Sequence, residues 1–274
     1  GSSGEAGRAF MPDISQASGD AIQLALLGGV VFNIANLLLV IAIDIAGMAV
    51  AFPVAIGLAL VIGVLANYDP AQVSNSLMLF LGVGLVVVAI VLDALIYRRL
   101  PSQGNAGVGK GLAISVIAGI AMGFFYRFVA QSMSLDFANP TPGLMTPYSA
   151  GVVFGIGLLV SNIIWLIPLM YKPITGDAVT LGQYFSKGST RLHLVGILGG
   201  AIWMVGFGFN IIAAGKAGYA VSYGLGQGAT MVAAFWGVFL WKEFKDAPAG
   251  TTPLIVAMFA CFLTGLALIV YSNL

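Results

Sequence analysis

Eight apolar runs of about twenty or more residues fill this chain, at roughly 21–44, 46–67, 75–97, 111–134, 147–170, 193–214, 216–240 and 252–272. At about 1.5 Å per residue each run is long enough to cross a hydrocarbon core of about 30 Å, so each predicts a transmembrane helix. The expected fold class is all-α and polytopic, with the lipid bilayer as an obligatory partner. Composition agrees, because 59% of the 274 residues are hydrophobic and only 8% are charged, against about 25% charged in a soluble domain. Lys and Arg total 11 and Asp and Glu total 10, which leaves no basic surface for nucleic acid. A single cysteine, Cys261, and a single histidine, His193, exclude a disulfide framework and a multi-histidine metal site. No cofactor is implied.

Orientation follows from the cationic connections. Arg98, Arg99 and Lys110 lie in one, Lys172, Lys187 and Arg191 in another, and Lys242 and Lys245 in a third. These alternate along the chain and so share one side, which the positive-inside rule assigns to the cytoplasm. The central loop is then cytoplasmic and the C-terminus outside, with the protein expected in a cell membrane.

An internal repeat constrains the topology further. Leu26-Leu27-Gly28-Gly29 lies on Ile197-Leu198-Gly199-Gly200 at a step of 171 residues, and the same step carries Ala46-Gly47 onto Ala217-Gly218 and Gly57 onto Gly228 without a gap. Five apolar helices begin within one step, and an odd period inverts the second copy in the membrane, as in many secondary transporters. The chain therefore reads as residues 1–99, the remainder of a first half with three helices, a connecting loop at 100–110, and a five-helix second half at 111–274. A five-helix first half implies two further helices upstream of residue 1.

Candidate site residues are polar or aromatic groups at helical spacing, since positions three or four apart share a helix face. Asn33 and Asn36 form one stripe, Trp203, Phe207 and Asn210 a second, and Tyr219, Tyr223, Gln227 and Thr230 a third; Asn162 and Trp165 add to them. Each stripe reads either as interhelical hydrogen bonding or as substrate contact, and two of them fall on repeat-equivalent helices, where a midplane site is expected. The aromatic faces of Trp203, Tyr223 and Tyr126, with Asn36, Gln227 and Arg127 to bond polar groups, suit a flat polar heterocycle and equally a sugar. Arg127 has snorkelling to the interface as its other reading. Asp93 and Glu243 read as interfacial ion pairs, with proton coupling through a carboxylate as the alternative. Pro53 and Gly224 are repeat equivalents where a helix kinks or packs closely.

The segment Gly104-Asn105-Ala106-Gly107-Val108-Gly109-Lys110-Gly111 has the spacing of a phosphate-binding loop, but its eighth position is Gly111 rather than a Ser or Thr. It also joins two membrane helices, where such a loop needs a strand and a soluble helix. A flexible connector is expected, with a nucleotide-gated protein as the alternative.

Gly28-Gly29-Val30-Val31, Asn36-Leu37, Asn67-Tyr68, Tyr148, Tyr171 with Pro173, Ala217-Gly218-Tyr219-Ala220, Gln227, Phe235-Trp236-Gly237-Val238 and Glu243 together resemble the drug/metabolite transporter superfamily, and within it the ureide permeases and their bacterial relatives. The resemblance covers nearly the whole chain. It implies ten helices in two inverted halves, of which eight are visible, a site between the halves, and alternating access. It further implies a ureide such as allantoin, or a nucleobase, as small-molecule substrate, and protons as the coupling ion. A sugar or multidrug carrier of the same fold is the rival, and a homo-oligomer is compatible with these features.

Overall fold

The computed structural model describes residues 7–99, 108–242, 244–245 and 247–273. Among the described residues the regular structure is helical: α1 (Phe10–Gln16), α2 (Gly19–Ala46), α3 (Met48–Asn67), α4 (Ser76–Tyr97), α5 (Val108–Ser132), α6 (Pro147–Tyr171), α7 (Leu181–Lys187), α8 (Thr190–Ala217), α9 (Tyr219–Gly226), α10 (Ala229–Phe235) and α11 (Thr251–Tyr271). Helix is what these sequences dictate, because in lipid every amide and carbonyl must be satisfied within its own segment. The termini follow local chemistry. Asn75 accepts from the Met78 amide at 3.1 Å to cap α4, Pro147 opens α6 where its missing amide has no helical partner to lose, and Thr180 with Gln183 closes a capping box on α7.

Where eight spans are expected, six helices among the described residues are long and apolar enough to cross a membrane: α2, α4, α5, α6, α8 and α11. The second expected span forms α3, whose Ala51–Asn67 stretch is a shorter apolar helix. The seventh, expected over 216–240, is divided. It forms α9, a tight turn at Gln227 and Gly228, α10, and a π-helical turn over Trp236–Leu240.

The repeat step is visible in the backbone. α7 begins and ends 171 residues after α1, α8 begins and ends 171 residues after α2, and α9 begins 171 residues after α3. The glycines that reverse the chain between the paired helices have matching dihedrals, φ 80° and ψ 154° at Gly47 and φ 73° and ψ 164° at Gly218. An L side chain is strained at such angles, so glycine is required at both.

The chain divides into two compact units, Gly1–Leu37 with Phe128–Lys216, and Leu38–Arg127 with Ala217–Leu274. Each unit draws on both sides of the central loop, so these spatial units and the sequence halves are different partitions of the chain. In the first unit α2 crosses α6 with backbones in contact. A Cβ at Gly29 would meet the Phe154 carbonyl, and one at Gly157 would meet the Leu26 carbonyl. In the second, α4 crosses α11 at Gly82 and Gly265, where a Cβ on either glycine would come within 2.7–2.8 Å of the other's carbonyl oxygen. Close backbone approach at small residues is how helices gain packing energy where the solvent is itself apolar.

Candidate functional site

The sequence candidates form two clusters, one in each unit. In the first, Asn33 is buried on α2 and its amide donates to Ser161 Oγ at 3.0 Å, while Ser161 donates to the Leu158 carbonyl at 3.0 Å. The α2–α6 crossing is thereby pinned by a polar pair inside lipid-soluble helices. Asn36, one turn further on, is exposed, so the two asparagines of this stripe have different surroundings. Phe32, Trp203, Phe207 and Phe154 make an aromatic ladder. The Phe32 and Trp203 ring centroids are 4.5 Å apart, those of Trp203 and Phe207 5.2 Å with planes 9° apart, and those of Phe154 and Phe207 4.6 Å. Trp203 keeps an exposed side, whereas Phe207 and Phe154 are buried. Asn162 and Asn210 are half-buried, and Trp165 is exposed.

In the second unit, Tyr223 is buried with its hydroxyl donating to the Ala59 carbonyl at 3.0 Å and approaching that of Met122 at 3.2 Å. Its ring fills the space over Gly63 and lies 5.2 Å from the buried Tyr126. One phenol thus ties α9 to α3 and α5, with its hydroxyl engaged and its ring buried. Neighbouring Arg127 is exposed and donates to the Ala66 carbonyl in the last turn of α3. A guanidinium at a helix C-terminus satisfies orphan carbonyls and favours the negative end of the dipole.

The backbone departs from the α-helical ladder at Gln227. The amides of Gln227 and Gly228 bond three residues back, to Gly224 at 3.2 Å and Leu225 at 2.9 Å, and the Thr230 amide bonds the Gln227 carbonyl at 3.1 Å. The Gly226 carbonyl is thereby released from its helical donor, on an exposed residue, with the half-buried Gln227 beside it. Two turns on, the Trp241 amide reaches back five residues to Trp236 at 2.9 Å. Irregular backbone at membrane depth is tolerated where it is buried in protein or lines a cavity, and π-turns within helices gather at functional sites. Gly224 itself lies inside α9 with Ile269 and Val64 at ordinary packing distance, and the break follows it at Gln227 and Gly228, while its equivalent Pro53 sits in an unbroken α3.

Asp93 is half-buried in α4, and Glu243 lies outside the described residues. So does most of the glycine-rich connector. Of its described end, Lys110 is exposed, and a Cβ on Gly111 would collide with Ala46. A magnesium-binding hydroxyl has no room there.

Sequence reasoning missed a polar network around Asp13 among the described residues. Asp13 of α1 is fully buried, paired with Arg8 at 3.0 Å, and accepts from the Thr146 amide and hydroxyl at 2.8 Å each. Arg8 also donates to the carbonyls of Pro140, Thr141 and Leu144, and Gln16 donates to Leu144 and accepts from the Gly143 amide. This latch fastens α1 to the loop that leads into α6. The same loop is ordered by Asp136, whose carboxyl is held below the usual range first by the Asn139 amide and also by that of Ala138. The latch partners are some 130 residues apart, and only the segment's small size and its buried-type Asp-Thr pairing could have hinted at them.

The ureide permease family model matches residues 1–106 and 103–272, meeting in the central loop. Ureide permease 4 of Arabidopsis thaliana is 26% identical over 332 aligned positions, covering 96% of this chain and 81% of that protein. Ureide permeases 1 and 2 of the same plant are 22% and 21% identical, each over 96% of this chain and 81% of their own length. These alignments are longer than the chain itself, so the plant proteins carry insertions relative to it. With apolar spans, a broken helix and a family match across both sides of the central loop, this chain belongs to the ureide permease family.

Proposed function

We propose that the chain is a secondary-active membrane transporter, not an enzyme, that carries a ureide such as allantoin, or a nucleobase, by alternating access. The observation that carries this reading is the interrupted helix at Gly226–Gly228, in a chain whose relatives are named for ureide transport. A ureide is a flat array of alternating carbonyls and N–H groups. A freed backbone carbonyl beside the Gln227 amide supplies both an acceptor and a donor at one point in a largely apolar helix.

In this reading the halves are inverted five-helix repeats of the drug/metabolite transporter type, bacterial branch, supported by the 171-residue step in helix bounds and in the Gly47 and Gly218 dihedrals. Gln227 binds substrate. Tyr223 and Tyr126 hold the broken helix in place. Asn36, Trp203, Asn162 and Trp165 are the candidates that keep accessible surface in the other unit, and Asn33 and Asn210 support them. Protons are the coupling ion, with Asp93 and Glu243 as the carboxylates, and the central loop faces the cytoplasm of a cell whose surface membrane holds the protein.

Uptake of labelled allantoin into proteoliposomes, with and without an imposed proton gradient, tests the proposal. Gradient-dependent uptake that unlabelled allantoin and uracil suppress and glucose does not is the expected result. Suppression by glucose, or no allantoin uptake under any gradient, overturns the ureide reading in favour of a sugar or multidrug carrier.

A further inference from the structure

The glycine that both copies share does not explain why only one of them breaks. One repeat step earlier Gly57 holds the place of Gly228, and Pro53, a stronger helix breaker than glycine, holds that of Gly224; α3 runs through both as continuous helix. Four positions differ across the turn. Ala55, Ile56, Leu58 and Ala59 in α3 stand where Gly226, Gln227, Ala229 and Thr230 stand in the broken copy. Among the described residues only Thr230 adds a side-chain hydrogen bond to the backbone of this turn, donating from its hydroxyl to the Gln227 carbonyl at 2.6 Å.

That bond decides which carbonyl is spare. In a continuous helix the Thr230 amide would serve the Gly226 carbonyl, four residues back. Here the amide serves Gln227 instead, at 3.1 Å, and the hydroxyl serves the same oxygen. A carbonyl has two lone pairs, so a single residue saturates Gln227 while Gly226 loses its helical donor. Threonine hydroxyls bond backbone carbonyls three or four residues back, and helices bend where they do. Without the hydroxyl the amide is free to return to Gly226, which would run α9 into α10 and consume the acceptor. The Val232 amide bonds Gly228 at 3.2 Å, so the α-helical ladder resumes just past Thr230 and the displaced bonds are confined to the turn. We propose that Thr230 is a positioning residue for the site at the break. Its hydroxyl holds the turn open and keeps the Gly226 carbonyl and the Gln227 side chain available to a ligand with adjacent N–H and C=O groups. Thr230 acts through the backbone and does not itself touch the ligand. The inference rests on the ureide-site reading above and deepens it by naming the group that keeps the acceptor free.

The test reads the Gly226 carbonyl and transport in the same proteoliposomes. Gly182-Gln183 and Gly226-Gln227 are the two Gly-Gln steps in the chain, so protein isotope-labelled at glycine carbonyls and glutamine backbone nitrogens gives one NMR correlation for each, and Gln183→Asn assigns them. Thr230→Val keeps the shape of the side chain and removes the hydroxyl. It is expected to move the Gly226 carbonyl resonance downfield, to the position of a hydrogen-bonded helical carbonyl, and to leave that of Gly182 in place. In allantoin uptake it should raise KM several-fold with the maximal rate less affected, the mark of lost binding. Thr230→Ser retains the hydroxyl and should match the native chain in both readouts. If Thr230→Val fails to fold, Thr230→Ala removes the same hydroxyl and is read in the same way. A Gly226 resonance that stays put without the hydroxyl overturns the inference and leaves the break to glycine alone. Damage by Thr230→Ser equal to that by Thr230→Val overturns it too. Gln227→Ala separates the inference from the reading beneath it. If Gln227→Ala abolishes uptake while Thr230→Val spares it, the positioning role is overturned and the site stands. If the native chain takes up no allantoin, or uptake survives Gln227→Ala, the site reading falls and takes the inference with it.

Discussion

α2 and α8 are both 28 residues long, begin and end one repeat step apart, and turn into the next helix at glycines with matching dihedrals. Yet 33% of the most apolar window of α2 is buried and only 11% of that of α8. The next helices differ again: α3 runs unbroken past Pro53, whereas its equivalent divides at Gln227 and Gly228. Matched sequence thus sets local geometry in both copies, through apolar length and a glycine reversal. Packing and function are set by what each copy meets and by the few positions that diverge. Phe52 against Tyr223, and Ile56 against Gln227, are two such positions.

The glycine crossings should show the largest asymmetry. Gly29→Leu drives a side chain into the α6 backbone, and overpacking of this kind costs about 3 kcal/mol or more, so little folded protein should survive detergent extraction. Gly200→Leu in the same 274-residue chain should extract normally. Equal damage at both sites would erase the distinction between a filled and an open face.

A comparable contrast is expected between the small helices. Asp13→Ala leaves Arg8 and two Thr146 donors without their acceptor, at a cost of about 3 kcal/mol for breaking a buried pair with one partner partly exposed. The thermal midpoint should fall clearly, while Tyr184→Ala, its equivalent on exposed α7, should leave it nearly unchanged. A smaller effect belongs to Tyr223→Phe. Losing the hydroxyl's hydrogen bond, worth about 0.6 kcal/mol in a membrane, should lower the midpoint slightly and loosen α9. Phe52→Tyr, which adds a hydroxyl at the equivalent place, should not stabilise the protein. If Tyr223→Phe leaves stability intact and abolishes uptake, the phenol contacts substrate and is no mere anchor.

Much of the fold was legible in the sequence because apolar length is a strong signal in lipid. The bounds of α2, α6, α8 and α11 fall within a few residues of the expected runs, and the repeat survives in the helix bounds. What was not legible depended on contacts across more than a hundred residues. The Asp13 latch needs Thr146, and the role of Tyr223 needs the Ala59 carbonyl; neither partner is marked by local pattern. The division of the seventh run was hidden because Gly224, Gly226 and Gly228 read equally as close packing or as a break. Among the site candidates, helical spacing sorts residues into stripes but does not say which members face outward. Asn33 and Asn36 share a stripe and still differ in burial, because the crossing with α6 covers only one edge of α2.

The most direct test of the account compares labelled allantoin uptake by proteoliposomes holding Gln227→Ala with those holding Ile56→Ala, its repeat equivalent in unbroken α3, each variant first shown to be folded. The account predicts that Gln227→Ala loses uptake while Ile56→Ala keeps it, since Gln227 offers an amide to a ureide and Ile56 offers no polar side chain. Undiminished uptake by folded Gln227→Ala would contradict a site at the break.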